Sequence, residues 1–222
     1  MPEKAAGDAR RLARRAGAGE DERLDRWLAA LLATPGLTGV TDPAEARRAL
    51  VEDAVAAEDL LELGPVVDVG SGAGSPGIPL AAARPDLEFV LLEASERKCR
   101  FLEAWAAEFP NVSVVRARAE EHAAGAGRDA YGSAVARALA PPPVALEWCL
   151  PLVAVGGLCA LYTGAPELER VAEAASRLGG SAPEARPVRG SERRHLVLVR
   201  KLAPTPPGFP RRPGIARKRP LA

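Results

Sequence analysis

The chain has 222 residues, enough for one ordinary domain with an appendage and too few for two full domains. Apolar residues make up 47%, which excludes global disorder, and aromatics only 4%, so the core must be mostly Ala, Val and Leu. The 30 basic and 29 acidic residues nearly cancel to +1, but from Arg186 onward 11 basic residues face Glu192 alone, a net +10 that leaves −9 on the rest. Such asymmetry marks an anionic partner, commonly nucleic acid.

Cys99, Cys149 and Cys159 are odd in number and build neither a disulfide framework nor a zinc spacing. With only two histidines, no metal centre is expected. No apolar run approaches the roughly 20 residues that span a bilayer. The expectation is a reduced, cytoplasmic, monomeric protein with no membrane partner.

In chain order, residues 1–20 are mostly Ala, Gly and Arg and predict disorder. Leu24, Trp27, Leu28 and Leu31 then form one apolar helical stripe, ended by Pro35-Gly36. Asp42-Pro43-Ala44-Glu45 predicts a capped helix start, with the helix running to about Leu63 and Gly64 as its C-cap. Pro65 to Val69, Phe89 to Leu92, Val112 to Val115, Ala134 to Ala136 and Leu158 to Tyr162 read as strands. Helices fall between them: one from near Pro76, one capped by Ser95 and stopped at Phe109, one over 141–152, and one over 167–178 after the last of these strands. Residues 187–201 read as a hairpin turning at Arg189-Gly190-Ser191. The fold class is therefore α/β and Rossmann-like: a mostly parallel seven-stranded sheet, an antiparallel C-terminal strand at its edge, and a small helical segment in front. The expected divisions are a disordered 1–20, a helical cap over 21–64, a ligand-binding domain over 65–202 and a basic tail over 203–222, read as an RNA-binding region with a solubilising extension as the alternative.

The most informative segment is Val66-Val67-Asp68-Val69-Gly70-Ser71-Gly72-Ala73-Gly74-Ser75-Pro76-Gly77, a strand that runs into glycines at every second position. Glycines there permit a tight turn and close approach of backbone to a ligand. Glu93 closes the second strand, where a carboxylate can accept hydrogen bonds from both hydroxyls of a ribose. A dinucleotide fingerprint places its third glycine one residue later; the acid followed by G-x-G-x-G here resembles motif I of class I S-adenosylmethionine (SAM) methyltransferases.

Pro76-Gly77-Ile78-Pro79-Leu80 sharpens the resemblance, with Arg84-Pro85, Arg97-Lys98, Arg118-Ala119-Glu120-Glu121, Ala136-Arg137-Ala138, Arg193-Arg194-His195-Leu196-Val197 and Phe209-Pro210-Arg211-Arg212-Pro213-Gly214 in step. Together these resemble the RsmG (GidB) family of 16S rRNA guanine-N7 methyltransferases, over about residues 24–222. The resemblance implies SAM as cofactor and 16S rRNA or the small ribosomal subunit as partner. It implies that Gly70, Gly72 and Ser75 line the methionine and adenosine part of SAM, that Glu93 holds the ribose, that Ala119 and Glu120 contact adenine, and that Arg137 joins the cofactor-binding set. No residue is assigned a catalytic role: guanine N7 carries an in-plane lone pair and no proton, so attack needs no general base. Where the family carries Asn, His, Ser and Lys this chain has Gly36, Leu50, Ala54 and Thr163, on what is expected to be the base-docking face, while Asp53 is kept. A paralogue acting on another RNA or a small molecule, and a non-catalytic SAM- or RNA-binding assembly protein, stay open at this stage.

Overall fold

A computed structural model gives the architecture and describes residues 18–189, 191 and 193–222. The expected disorder over 1–20 therefore lies mostly outside the described residues; Ala18 to Glu20 belong to helix α1 (Ala18–Ala33). The stripe of α1 is buried, and its Trp27 indole donates to the Ala73 carbonyl at 3.0 Å, which ties the helical cap to the glycine turn.

The single helix expected from Asp42 to Leu63 is broken. Asp42 does cap helix α2 (Pro43–Arg47), accepting from the Glu45 amide at 2.7 Å. A π-helical turn (Arg48–Glu52) and a 3₁₀ segment (Ala54–Leu60) then follow. The cause is competition for backbone carbonyls from distant side chains: Arg137 donates to Ala49, Ser75 to Leu50 and the Tyr162 hydroxyl to Ala54. Gly64 does not cap this segment in a left-handed conformation; it precedes a cis Pro65.

Seven strands form one sheet: β1 (Val66–Val69), β2 (Phe89–Glu93), β3 (Val112–Arg116), β4 (Tyr131–Arg137), β5 (Val153–Thr163), β6 (Glu184–Pro187) and β7 (His195–Arg200). The order is β3-β2-β1-β4-β5-β7-β6, and β7 runs antiparallel to both of its neighbours. The antiparallel strand is thus inserted beside the edge rather than lying at it, and the strand before the turn begins three residues earlier than the hairpin reading placed it. Part of that turn, at Gly190, lies outside the described residues.

Helices α3 (Gly77–Ala83) and α4 (Glu96–Ala106) share one face of the sheet with the cap; α6 (Pro142–Cys149) and α7 (Leu168–Leu178) cover the other. Alternation sorts the strands accordingly: Val67 and Val69 join the cluster of Leu146, Val171 and Leu178, whereas Val66 joins that of Leu80 and Phe89. Ser95 stands at the start of α4 without a side-chain cap; its backbone amide donates to Glu93 instead.

The segment after Ala203 is not a free tail. Arg211 pairs with the buried carboxylate of Glu147 on α6, Ala216 and Leu221 are buried, and the short helix α8 (Ile215–Lys218) lies against α6. Residues 203–222 are a docked strap. Among the described residues no helix is long and apolar enough to cross a membrane.

Candidate functional site

The sheet order reverses between β1 and β4, and the loops beyond their carboxyl ends open a crevice where such folds bind ligands. Gly70, Gly72 and Gly74 all have positive φ, of 68°, 61° and 108°, so the turn after β1 demands glycine-like backbone. Their surroundings differ. A Cβ on Gly70 would stand 2.4 Å from Leu139, and one on Gly74 would stand 2.5 Å from Ile78; one on Gly72 would meet nothing closer than 3.9 Å. Gly74 is therefore a packing glycine, and Gly72 faces open space.

The Gly72 amide donates to Glu93 Oε2 at 2.9 Å, and the Ser95 amide donates to Oε1 at 2.8 Å. Two backbone amides thus fix the Glu93 carboxylate, only 8% exposed, at the end of β2. Each oxygen keeps a further lone pair for a ligand hydroxyl. Gly70 and Glu93 line a cleft of about 380 Å³ together with Ala119, Glu120, Trp148 and Arg217. Ala119 opens helix α5 (Ala119–Ala123), and Glu120 Oε1 accepts from the Gly214 amide of the strap at 3.1 Å. One oxygen of Glu120 is therefore already engaged by protein.

A second cleft of about 410 Å³ is lined by Leu50, Asp53, Arg137, Tyr162, Thr163 and His195 among others. Ala138, just after β4, lies on the walls of both clefts and holds a left-handed backbone with φ 52°. For a residue with a Cβ this is an uncommon conformation, of the kind that concentrates at functional sites. In the second cleft Asp53 pairs with Arg194, the half-buried Arg137 guanidinium donates to the Ala49 carbonyl, and burial pushes the Tyr162 phenol well above its ordinary pKa. His195 Nδ1 is buried with no hydrogen-bond partner among the described residues.

The expected site residues thus divide. Gly70, Glu93, Ala119 and Glu120 come together around the first cleft, and Gly72 is joined to it through Glu93. Ser75 and Arg137 do not line it: the Ser75 hydroxyl is used on the Leu50 carbonyl at 2.7 Å, and Arg137 opens on the second cleft. Of the departures from the family pattern, Leu50 and Thr163 line the second cleft. Gly36 lies beside Arg97, and Ala54 is fully buried, so neither lines it. Trp148, on α6, and Gly214 and Arg217, on the strap, were not among the expected site residues; the latter two reach the first cleft only through the docking of the strap. Among the described residues no group of three or more His, Cys, Asp or Glu gathers as a metal site.

Sheet order and glycine turn together define the class I methyltransferase fold. The solved structures agree: the chain superposes on the SAM-dependent methyltransferase SibL at TM-score 0.57 and 16% identity, covering 79% of this chain and 62% of that one. An O-methyltransferase of neocarzinostatin biosynthesis, solved with SAM and a naphthoic acid, gives TM-score 0.54 at 22% identity, over 72% of this chain and 55% of that one. More narrowly, the sequence profile of the family GidB, rRNA small subunit methyltransferase G, matches residues 22–197, and the chain belongs to that family. A relative from Moorella thermoacetica, ribosomal RNA small subunit methyltransferase G, is 39% identical over 197 residues, 83% of this chain and 82% of its own.

Proposed function

We propose that this protein transfers the methyl group of SAM to N7 of a guanine in 16S rRNA of the small ribosomal subunit, acting as a cytoplasmic monomer. The observation that carries the reading is the pair of clefts that meet at Ala138, one built around the amide-fixed carboxylate of Glu93 and the other around Arg137. The first fits SAM: Glu93 offers acceptor sites to the ribose hydroxyls, and the open side of Gly72 leaves room for a close approach. When bound, SAM supplies an electrophilic methyl group on a sulfonium.

The chain's own part is positioning. A base in the second cleft would present an unprotonated N7, so nothing there has to remove a proton and the work is alignment. Arg137 and His195 can reach polar edges of a base, and the Asp53 carboxylate lies in the same cleft as the cation that N7 methylation leaves. The +10 of residues 186–222 supplies attraction to the phosphate backbone. The test compares nucleosides of 16S rRNA from cells with and without the gene. One N7-methylguanosine should vanish on deletion and return with the gene; an unchanged profile would sink the proposal.

A further inference from the structure

We propose that the distal part of the strap, residues 209–222, completes the cofactor site, with Arg217 as a ligand-binding residue, so that cofactor binding and strap docking are coupled. The inference deepens the SAM reading above and rests on it. The strap is anchored outside the cleft: Arg211 on the Glu147 carboxylate, Ala216 and Leu221 in apolar contacts, and the Leu221 and Ala222 carbonyls accepting from Arg177 and Arg170. Between these anchors two groups reach the cleft wall. The Gly214 amide donates to Glu120, and the Arg217 guanidinium lies 5.3 Å from the centre of the Trp148 ring while donating to the Leu139 carbonyl.

This geometry suits a nucleoside. An Arg on an aromatic face is held flat and keeps N–H donors at its rim. Glu120 retains one oxygen without a protein partner among the described residues, an acceptor for an exocyclic amine. The Trp148 indole N–H is buried and unpartnered among the described residues, a donor that protein leaves unused beside the cleft. A ligand that touches the docked strap must favour the docked state, and the coupling is reciprocal.

Limited trypsin digestion with S-adenosylhomocysteine tests this on the full chain. Cleavage after Arg211, Arg217 and Lys218 requires an undocked strap. With ligand at tenfold its Kd, cleavage there should slow roughly tenfold. By calorimetry, Arg217→Ala should bind S-adenosylhomocysteine at least fivefold more weakly, and Glu147→Gln, which loosens the strap away from the cleft, should also weaken binding. Unchanged strap cleavage in the liganded wild type overturns the proposal, as does wild-type affinity in Arg217→Ala; either can occur while Glu93→Ala still abolishes binding, which leaves the cofactor reading intact. If the wild-type chain binds no S-adenosylhomocysteine, the cofactor reading itself falls and this one with it. Should Arg217→Ala fold poorly, the digestion of the wild-type chain decides alone.

Discussion

Asp68 Oδ2 accepts a hydrogen bond from the Gly77 amide at 3.0 Å, while Oδ1 is buried with no hydrogen-bond partner among the described residues. A Cβ on Gly77 would stand 2.7 Å from that carboxylate, so the pair is built around the missing side chain. Burial pushes the Asp68 pKa up to about 7, against the opposing pull of the Gly77 amide and the Arg137 charge. The acid at the heart of the glycine motif is thus in part a buried, protonatable group under the start of α3.

The sign of the stability effect follows. The unfolded chain releases this proton near 3.8 and the folded chain near 7, so between those values the native state binds the extra proton. The contribution is fully present below about 3.8 and is lost as pH rises through about 7. Asp68→Asn should remove that dependence. In urea melts from pH 4.5 to 8.5, wild type should lose stability relative to the variant by a few kcal/mol, from ~1.4 kcal/mol per pKa unit. Parallel pH curves for the two proteins would contradict this assignment.

The glycines of the turn should separate affinity from stability. Gly72→Val places a branched side chain at φ 61° in the open space beside Glu93, and S-adenosylhomocysteine binding by calorimetry should be lost. Left-handed backbone costs a substituted residue only ~1–2 kcal/mol, so the variant should still fold. Gly74→Ala drives a methyl against Ile78 in the core and should lower the urea midpoint more than the affinity. The opposite ranking would show that the ligand lies over Gly74.

How much of this was legible in the sequence depends on how local the cause is. The turn and Glu93 were readable because spacing alone puts Gly72 and Glu93 at the ends of adjacent parallel strands, paired from Val66–Phe89 to Val69–Leu92. Where Ser75 and Arg137 point was not legible, because their direction is set by the Leu50 and Ala49 carbonyls, 25 and 88 residues away. The same contacts break the expected 42–63 helix, and no propensity encodes them. The strap read as a tail because Pro, Gly and Arg composition is all that local sequence offers, whereas its docking rests on distant partners, among them the buried carboxylate of Glu147, 64 residues before Arg211.

Docking also reduces the charge available to RNA. Arg211 is spent on Glu147 and Arg217 on Trp148 and Leu139, while the Arg212, Lys218 and Arg219 side chains are exposed and have no partner among the described residues. Replacing these three by Ala should weaken binding to small-subunit RNA and reduce the slope of log K against log salt by about 2–3. S-adenosylhomocysteine affinity should stay at the wild-type value. An unaltered slope in filter-binding titrations would place the RNA contact elsewhere.

The second cleft makes the last prediction. Arg137 fixes the π-helical turn through the Ala49 carbonyl and also lines the space beside Ala138, opposite the cofactor cleft. Hydrogen bonds to a charged group contribute about 1.5–3 kcal/mol, so Arg137→Ala should slow methyl transfer by roughly 10- to 150-fold. S-adenosylhomocysteine affinity should fall much less, since Arg137 does not line the first cleft. Leu50 and Thr163, where the resemblance leads one to expect His and Lys, face the same space, and the Leu50 group that holds Ser75 is its backbone carbonyl, which a substitution keeps. Leu50→His with Thr163→Lys should therefore raise the transfer rate to small-subunit RNA without tightening the cofactor. If single-turnover rates respond to neither change while cofactor binding is normal, the accepting base does not enter between Arg137 and Thr163.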